Sequence, residues 1–581
     1  MNAALSPAFP PALPPALPPA SPSDLCQTAR SLLAAGANDA ALEALERALE
    51  AHPAHPEALE LAARALAALD RPGVAPALAT RRARADAHFA LGAWLYRRGR
   101  MAAAAAAYRR VLSLRPDDAD ALANLGVVLM HESRMDEAQA TLSRALKIDA
   151  NHVVALLHQG LLMWRLGRLV ESEAAYRAAL ERDASNVLAW NNLGLLLKDM
   201  NRLHESEAAC RRALALNANL AEVHNNLGNA LWQLGRVEES IDAYRHALAL
   251  RPDYTAARTN LALPLLRLGN YEKGWPLYES RHDPSMGVGG IARAPVPYPQ
   301  WQGESLAGKS ILVWPEQGLG DSLQFCRYVP MLKALGAAQV SVACAPTQQR
   351  LFETLAGADR VIALNGQGRI ERHDYWCLMM SLPLRFGTTV ATIPARVPYL
   401  HAQPREVEQW QARLPKGTLK VGLVWAGNPR ADQASSNAID QRRSLGAQSF
   451  VPLLGTPGVT FVSLQMGDAT RPQIADLPAA LRPFDPMGGV RDFADTAAIV
   501  ANLDLVITVD TSMAHLAGAL GRPVWVLSRY GACWRWFKDR EDSPWYPGAR
   551  VFRQTQPDAW NDVLRRVEQA LAELAALRAA V

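Results

Sequence analysis

The chain has 581 residues, half of them apolar and a fifth charged, with a formal net charge of +5. That length exceeds what one hydrophobic core organises, so at least two domains are expected. The modest charge, with arginines spread along helices and no basic tail or stripe, speaks against nucleic-acid binding, and no run reaches the ~18–20 apolar residues of a membrane span.

Residues 1–21 are an Ala/Pro-rich tail. Repeated prolines forbid a continuous helix there, and no basic start precedes an apolar run, so the segment reads as disordered and not as a signal peptide. Six cysteines (Cys26, Cys210, Cys326, Cys344, Cys377 and Cys533) lie far apart without a CxxC pair. A disulfide framework and a metal cluster are both unsupported, and a reducing, cytoplasmic setting fits.

Self-similarity organises residues 22–282. Gly92, Gly126, Gly160, Gly194 and Gly228 recur every 34 residues. Seven residues after each stands Gly99, Ser133, Gly167, Asn201 or Gly235, a helix-ending position. Sixteen after each stands Tyr108, Leu142, Tyr176, Cys210 or Tyr244, an apolar site in a second helix. Weaker copies flank the array: Gly36 and Pro53 keep phase, residues 56–84 form a shortened unit, and Asn260 and Gly269 hold the phase before it dissolves at Gly274. This order of small, turn and aromatic positions resembles the tetratricopeptide repeat, a helix–turn–helix unit whose apolar faces are buried only against neighbouring units in a superhelix with a groove. The glycine lets the two helices of a unit approach, and the tyrosine is expected to fill the gap between units.

Asn124, Asn192, Asn226 and Asn260 share one register in the repeats, with His158 in the remaining unit. A primary amide donates and accepts, so a row of them can clamp an extended peptide whatever its side chains. The repeats of O-linked N-acetylglucosamine transferases are similar, with the same Asn-Leu-Gly triplet and a peptide-binding asparagine row. The same amides can instead bond neighbouring helices inside the stack, and both uses stay open.

Residues 283–304, rich in Gly, Pro and aromatics, are expected to be a linker. Strand and helix then alternate. Ile311–Trp314, Val340–Ala343 and Val361–Leu364 form one cluster of apolar strands within 305–400, with a helix over Ser322–Leu335. Val421–Trp425, Phe461–Leu464, Leu505–Val509 and Val524–Leu527 form a second cluster within 419–581, and 401–418 connect the two. The expected architecture is an α-solenoid followed by two doubly wound α/β lobes with a ligand cleft between them.

Three constellations carry chemistry. Glu316-Gln317-Gly318-Leu319-Gly320-Asp321 lies between a strand and a helix. Its glycines admit a ligand to the backbone, although Asp321 also has the plain use of capping its helix, which these residues alone favour. Asp510-Thr511-Ser512-Met513-Ala514-His515 follows the strand Leu505–Val509, where hydroxyls and free N–H groups make a diphosphate seat; an N-cap with a buried histidine is the alternative. Trp425-Ala426-Gly427-Asn428 leads through a polar loop to Arg442-Arg443, cations able to neutralise a leaving phosphate or merely to face solvent.

The block Val506–Leu527 resembles the nucleotide-sugar motif of ADP-heptose:lipopolysaccharide heptosyltransferases, glycosyltransferase family 9, with Ser512 where that family has glycine. The resemblance implies a GT-B fold, inverting transfer, and donor contacts from Gly318, Gly320, Trp425, Asn428, Arg443, Asp510, Thr511, Ser512 and His515; no Asp-x-Asp motif lies at a strand end, so transfer without a metal is expected, with no other cofactor. It implies Asp321 of the Gly-Asp-Ser-Leu segment as catalytic base and Arg443 in place of the family's phosphate-binding lysine. Bacterial fusions of tetratricopeptide repeats to such a domain share the Glu316–Asp321, Asp492–Ala497, Trp534–Trp536 and Ser543–Pro547 segments; some resemble flagellin glycosyltransferases. The implied partners are a nucleotide sugar and a protein or peptide acceptor, flagellin-like in those relatives, held by Asn124, Asn192, Asn226 and Asn260. A non-catalytic scaffold and a glycan-directed transferase are the alternatives.

Overall fold

The computed structural model describes residues 21–70, 80–289, 294–366, 370–416, 419–428, 440–531 and 533–580. The chain divides into two compact units, Met1–Leu196 and Leu197–Val581. The expected N-terminal tail lies outside the described residues up to position 20. Ser21 caps the first helix: it accepts from the Asp24 N–H at 3.2 Å, while the Asp24 carboxylate takes the Ser21 N–H at 3.1 Å.

The first unit is helical. Paired helices run from Pro22–Ala34 and Asn38–Ala51 to Val153–Arg165 and Leu169–Arg182. The 34-residue phase has a direct steric cause. A Cβ on Gly92 would come 2.8 Å from the Tyr108 ring, on Gly126 2.6 Å from Leu142, and on Gly160 2.6 Å from Tyr176. The large side chain thus lies on the glycine of its own unit, and the expectation that it fills the gap between units is corrected. Close approach of the two helices leaves a slot that only a residue without a Cβ provides, and the aromatic fills it.

Each unit turns through a left-handed residue. Gly99 and Gly167 serve at φ near +75°, but Ser133 occupies the same place at φ 61°. An L-side chain there is strained by about 1–2 kcal/mol. Ser133→Gly is expected to stabilise the protein by about 0.5–1 kcal/mol after the glycine's extra unfolded-state entropy, read as a higher urea midpoint.

The second unit begins with more repeat helices, Leu203–Leu216, Ala221–Gln233, Val237–Leu250, Thr255–Arg267 and Tyr271–Tyr278. Two all-parallel sheets follow. The first has the order β3-β2-β1-β4, from β1 (Ser310–Trp314), β2 (Gln339–Cys344), β3 (Arg360–Ala363) and β4 (Tyr375–Leu378). The second has the order β6-β5-β7-β8-β9, from β5 (Leu419–Val424), β6 (Val459–Ser463), β7 (Leu505–Val509), β8 (Val524–Ser528) and β9 (Ala549–Arg553). Register pairs such as Val313↔Cys377 and Leu423↔Ile507 align the strands so that their C-terminal ends share one edge of each sheet. Strand order reverses between β1 and β4 and between β5 and β7, the places where open parallel sheets bind ligands.

Three details depart from the expected layout. Pro330 interrupts the helix expected over Ser322–Leu335, which is instead Leu319–Phe325, a 3-10 turn, and Val329–Ala334. The segment expected as a linker is packed wherever it is described. Tyr298 and Trp301 are buried, and Pro299 and Trp301 exchange backbone hydrogen bonds with Trp376 of β4 at 3.1 and 2.7 Å. Residues 401–418 hold the helix Pro404–Arg413, whose Val407 carbonyl accepts from Asn502 at 2.9 Å.

The last repeat helices join the core of the α/β region. Tyr271 and Trp275 are buried with Phe325, Trp534 and Trp545. Trp275 donates to the Thr388 carbonyl at 3.1 Å, and Trp545 to the Tyr271 hydroxyl at 3.1 Å. Gly274, where the repeat phase dissolves, lies against Leu266, 2.7 Å from a would-be Cβ.

Candidate active site

β1 runs out into Pro315–Gly318 and then the helix Leu319–Phe325, which sets Asp321 in the first helical turn. One carboxylate oxygen of Asp321 accepts the Gly318 N–H at 2.7 Å. That is the capping use anticipated for it, and it leaves the other oxygen free for a second role. The second oxygen is ion-paired with Arg535. Arg535 is 8% exposed, and its Nε donates to Gln324 at 2.7 Å. Burial lowers the basicity of that guanidinium, but the Asp321 charge, with Cys533 and Tyr278 beside it, more than offsets this and holds the group firmly protonated. Asp321 keeps 18% of its side-chain surface, so it remains reachable from solvent.

β7 ends at Asp510, and Thr511 caps the helix Ser512–Ala519 by accepting the Met513 N–H at 3.3 Å. Strand-to-helix turns of this kind point N–H groups at whatever sits above them. The Asp510 carboxylate accepts from Trp536 Nε1 at 2.7 Å, and its backbone carbonyl accepts from Arg443 at 3.0 Å. Arg443 also donates to Asp440 at 2.8 Å. Gly427, after β5, is required here because a Cβ would stand 2.3 Å from the Asp440 carboxylate and 2.5 Å from Arg443. The loops after β5 and β7 are therefore tied together across the point where strand order reverses.

The two strand-end turns meet. A Cβ on Gly320 would lie 2.8 Å from the His515 ring and 3.3 Å from Ser512 Cα, so the Asp321 helix and the Thr511 helix touch through a glycine. Arg535 and Trp536, adjacent in sequence, hold Asp321 and Asp510 respectively. Sequence reasoning assigned no role to Arg535 or Trp536. Their signal was present in the Trp534–Trp536 segment, but nothing local to it points to carboxylates so distant in sequence.

Several expected site residues are placed otherwise. Trp425 has a fully buried ring in the core of the second sheet, and the backbone N–H groups of Trp425 and Ala426 both donate to Gln465 at 3.0 Å. An apolar ring at the end of an interior strand is used for packing, so Trp425 is corrected from donor contact to core residue. His515 is 5% exposed, stacked on Trp536 at 5.5 Å and hydrogen-bonded to the Tyr546 hydroxyl at 2.9 Å. It too is corrected, to the buried histidine of the alternative reading. Asn428 is exposed, next to residues 429–439, which lie outside the described residues.

Burial, then the charges of Arg535 and Arg327, hold the His515 pKa well below 6.5. Between that depressed value and 6.5 the unfolded chain binds more protons than the folded one. This increment of stability is complete above pH 6.5 and falls as pH drops, by up to about 1.4 kcal/mol per unit. His515→Gln is expected to flatten the decline in urea midpoint between pH 7 and 5 relative to the parent protein.

The asparagine row divides. Asn260 donates to Asn225 at 2.9 Å, linking neighbouring repeat helices, and Asn226 is 9% exposed. For Asn260 the stack takes the amide, and burial withdraws Asn226 from a groove surface, so the acceptor-clamp reading is corrected for these two. Asn124 and Asn192 are half-buried, with Asn124 donating to its own helix at the Asp120 carbonyl, 2.9 Å away. His158, in the same register, is held neutral by burial, its pKa pushed down to about 4.

Among the described residues, no group of three or more His, Cys, Asp or Glu is arranged to hold a metal ion, and no helix is long and apolar enough to cross a membrane.

Comparison with known proteins bears on both regions. Models described as tetratricopeptide repeat match residues 26–88, 95–159, 157–221 and 221–254. The model described as glycosyltransferase family 9 (heptosyltransferase) matches residues 484–557, which include Asp510, Thr511, Arg535 and Trp536 but not Asp321. Protein FlbA of Caulobacter vibrioides is 32% identical over 324 residues, covering 52% of this chain and 53% of that protein. The chain thus spans about half the length of this curated relative. Among solved structures, Pseudomonas aeruginosa PilF shares 20% identity at a TM-score of 0.32, covering 36% of this chain and 94% of its own. A thermophilic tetratricopeptide-repeat protein of Thermus thermophilus shares 21% at 0.28, covering 31% and 99%. The chain therefore combines tetratricopeptide repeats, which point to protein binding, with a glycosyltransferase family 9 segment, which points to glycosyl transfer from a sugar donor.

Proposed function

We propose that the protein is a nucleotide-sugar-dependent, inverting, metal-independent glycosyltransferase whose α/β region works as two GT-B lobes and whose repeats hold a protein acceptor. The observation that carries this reading is the pair Arg535–Trp536, one residue grasping Asp321 and the next Asp510, so that a carboxylate and an anion-seating helix start share one place.

In this mechanism the Asp321 carboxylate takes the proton of the acceptor hydroxyl as that oxygen forms its bond to the anomeric carbon. The bond from that carbon to the donor diphosphate breaks, and the electron pair leaves with the diphosphate. Thr511, Ser512 and the N–H groups of their helix receive the developing charge, with Arg443 beside them. Arg535 and the Gly318 N–H hold the Asp321 carboxylate in place before the step. Gly318 keeps the turn open for the donor, while Gly320 lets the two helices touch. Asn124 and Asn192 are the remaining candidates for acceptor contact. A flagellin-like acceptor and a cytoplasmic setting rest on the sequence resemblance and composition alone.

A second reading, a non-catalytic scaffold, draws on one observation: both Asp321 oxygens already have partners. Incubating the full chain with a panel of nucleotide sugars separates the two. Slow release of free nucleotide from one donor is the expected result; failure to bind any member of the panel sinks the enzymatic reading.

A further inference from the structure

Within the second unit, the segments that follow β5, β8 and β9 and the repeat helix ending at Gln233 enclose a cavity of about 90 Å³. Arg442, Arg529, Gln554, Asp558 and Gln233 are among the residues lining it. Its hydrogen-bonding is one-sided. Gln554 is 4% exposed, and its carbonyl oxygen accepts the Tyr530 N–H at 2.9 Å. That bond fixes which way the amide faces, and its NH2 group is left without a partner. Arg442 donates through Nη1 to Gln233 at 2.8 Å, while its buried Nε has no acceptor.

Charge is as unbalanced as hydrogen-bonding. Among the described residues no carboxylate pairs with Arg442 or Arg529 at ion-pair distance, although Asp558 and Asp510 attract them from farther off. Burial lowers the basicity of both; Arg442 is brought down to about 9 with the Arg529 charge adding to the effect, and Arg443 adds to it at Arg529. Water entering the cavity satisfies N–H groups but leaves two positive charges with no counter-charge at ion-pair distance. The volume corresponds to the space of roughly three waters at ~30 Å³ each. A single tetrahedral oxyanion fits in that space.

We propose that this cavity is an oxyanion site that takes a phosphoryl group between the guanidinium groups of Arg442 and Arg529 and the NH2 of Gln554. Two guanidinium forks and an amide present the planar and single donors that phosphate oxygens accept best. The phosphoryl group belongs either to free phosphate and small phosphate esters or to the terminal phosphate of a nucleotide reaching in from the neighbouring Asp510 turn. The site does not depend on the transferase reading.

Isothermal titration of the full chain with inorganic phosphate, at ionic strength held constant with chloride, tests it, alongside Arg529→Gln, Arg529→Lys and Gln554→Leu. Saturable phosphate binding is expected, weakened about tenfold or more in Arg529→Gln and less in Gln554→Leu, with Arg529→Lys retaining most of it. A second titration with a nucleoside diphosphate identifies the source: competition with phosphate assigns the group to the nucleotide, and independent binding assigns it to a separate phosphate. Absence of saturable phosphate binding overturns the proposal, as does binding that survives both Arg529→Gln and Gln554→Leu. Nucleoside diphosphate binding without phosphate binding also overturns it and leaves the transferase reading in place. Phosphate binding in a protein that takes no nucleotide sugar has the opposite effect on the two.

Discussion

Asp321→Asn is expected to lower sugar transfer by about 10²–10⁴-fold, the range a positioned general base contributes. The substitution keeps the volume and one oxygen, so the cap on the Gly318 N–H is preserved when that oxygen faces it. The proton acceptor is lost in either orientation of the amide. Arg535 then faces a neutral group instead of a carboxylate, and because Arg535 is buried the protein loses stability as well, about 1.5–3 kcal/mol for a hydrogen bond to a charged group. The two effects separate experimentally. Donor binding and an unfolding transition measured on the same variant show whether the fold persists, and transfer is then read from a folded population. Retained donor binding with abolished transfer supports the base; full transfer removes Asp321 from that role and leaves it as a cap.

Glu316→Gln is expected to destabilise the second unit by about 3–5 kcal/mol, because it strips the charge from one side of a buried pair. Glu316 is fully buried, accepts from Arg281 Nε and Nη2 at 2.7 and 3.0 Å, and takes the Met380 N–H at 2.8 Å. It therefore joins the turn after β1, the turn after β4 and the chain segment that follows the last repeat helix. A glutamine at this place turns an N–H2 group toward donors. Arg281 retains Glu279 at 2.8 Å, a carboxylate 20% exposed and so a weaker partner. Urea unfolding of Glu316→Leu, Arg281→Leu and the double variant Glu316→Leu/Arg281→Leu, beside Glu316→Gln, provides the comparison. The double variant is expected to be less destabilised than the sum of the singles, since an apolar pair needs no counter-charge. Additive losses would show that the two residues do not act as one pair. The consequence for the site is positional: Glu316 opens the turn that closes on Asp321, so a folded Glu316→Gln protein is expected to bind donor less tightly.

What the sequence alone determined is local and periodic. A glycine every 34 residues, with a left-handed turn seven residues later and a bulky side chain sixteen later, specifies a helix pair, because each relation is met within one unit. Short apolar strands each followed by a turn and a helix specify parallel sheets, and the turns at Gly318–Asp321 and Asp510–Ser512 are legible because strand ends and helix starts have their own residue preferences. β4 and β9 escaped because Tyr375–Leu378 is only four residues long and Ala549–Arg553 carries two arginines in five residues, so neither stands out as an apolar run. Tertiary structure decided the rest. Whether Trp425 and His515 meet a ligand or the core, and whether Asn260 meets a peptide or Asn225, depends on which elements pack over them. The pairing of Asp321 with Arg535 spans 214 residues and exists only because two helices touch at Gly320. Periodicity records how a segment folds on itself; partners brought together by packing leave no spacing in the chain to read.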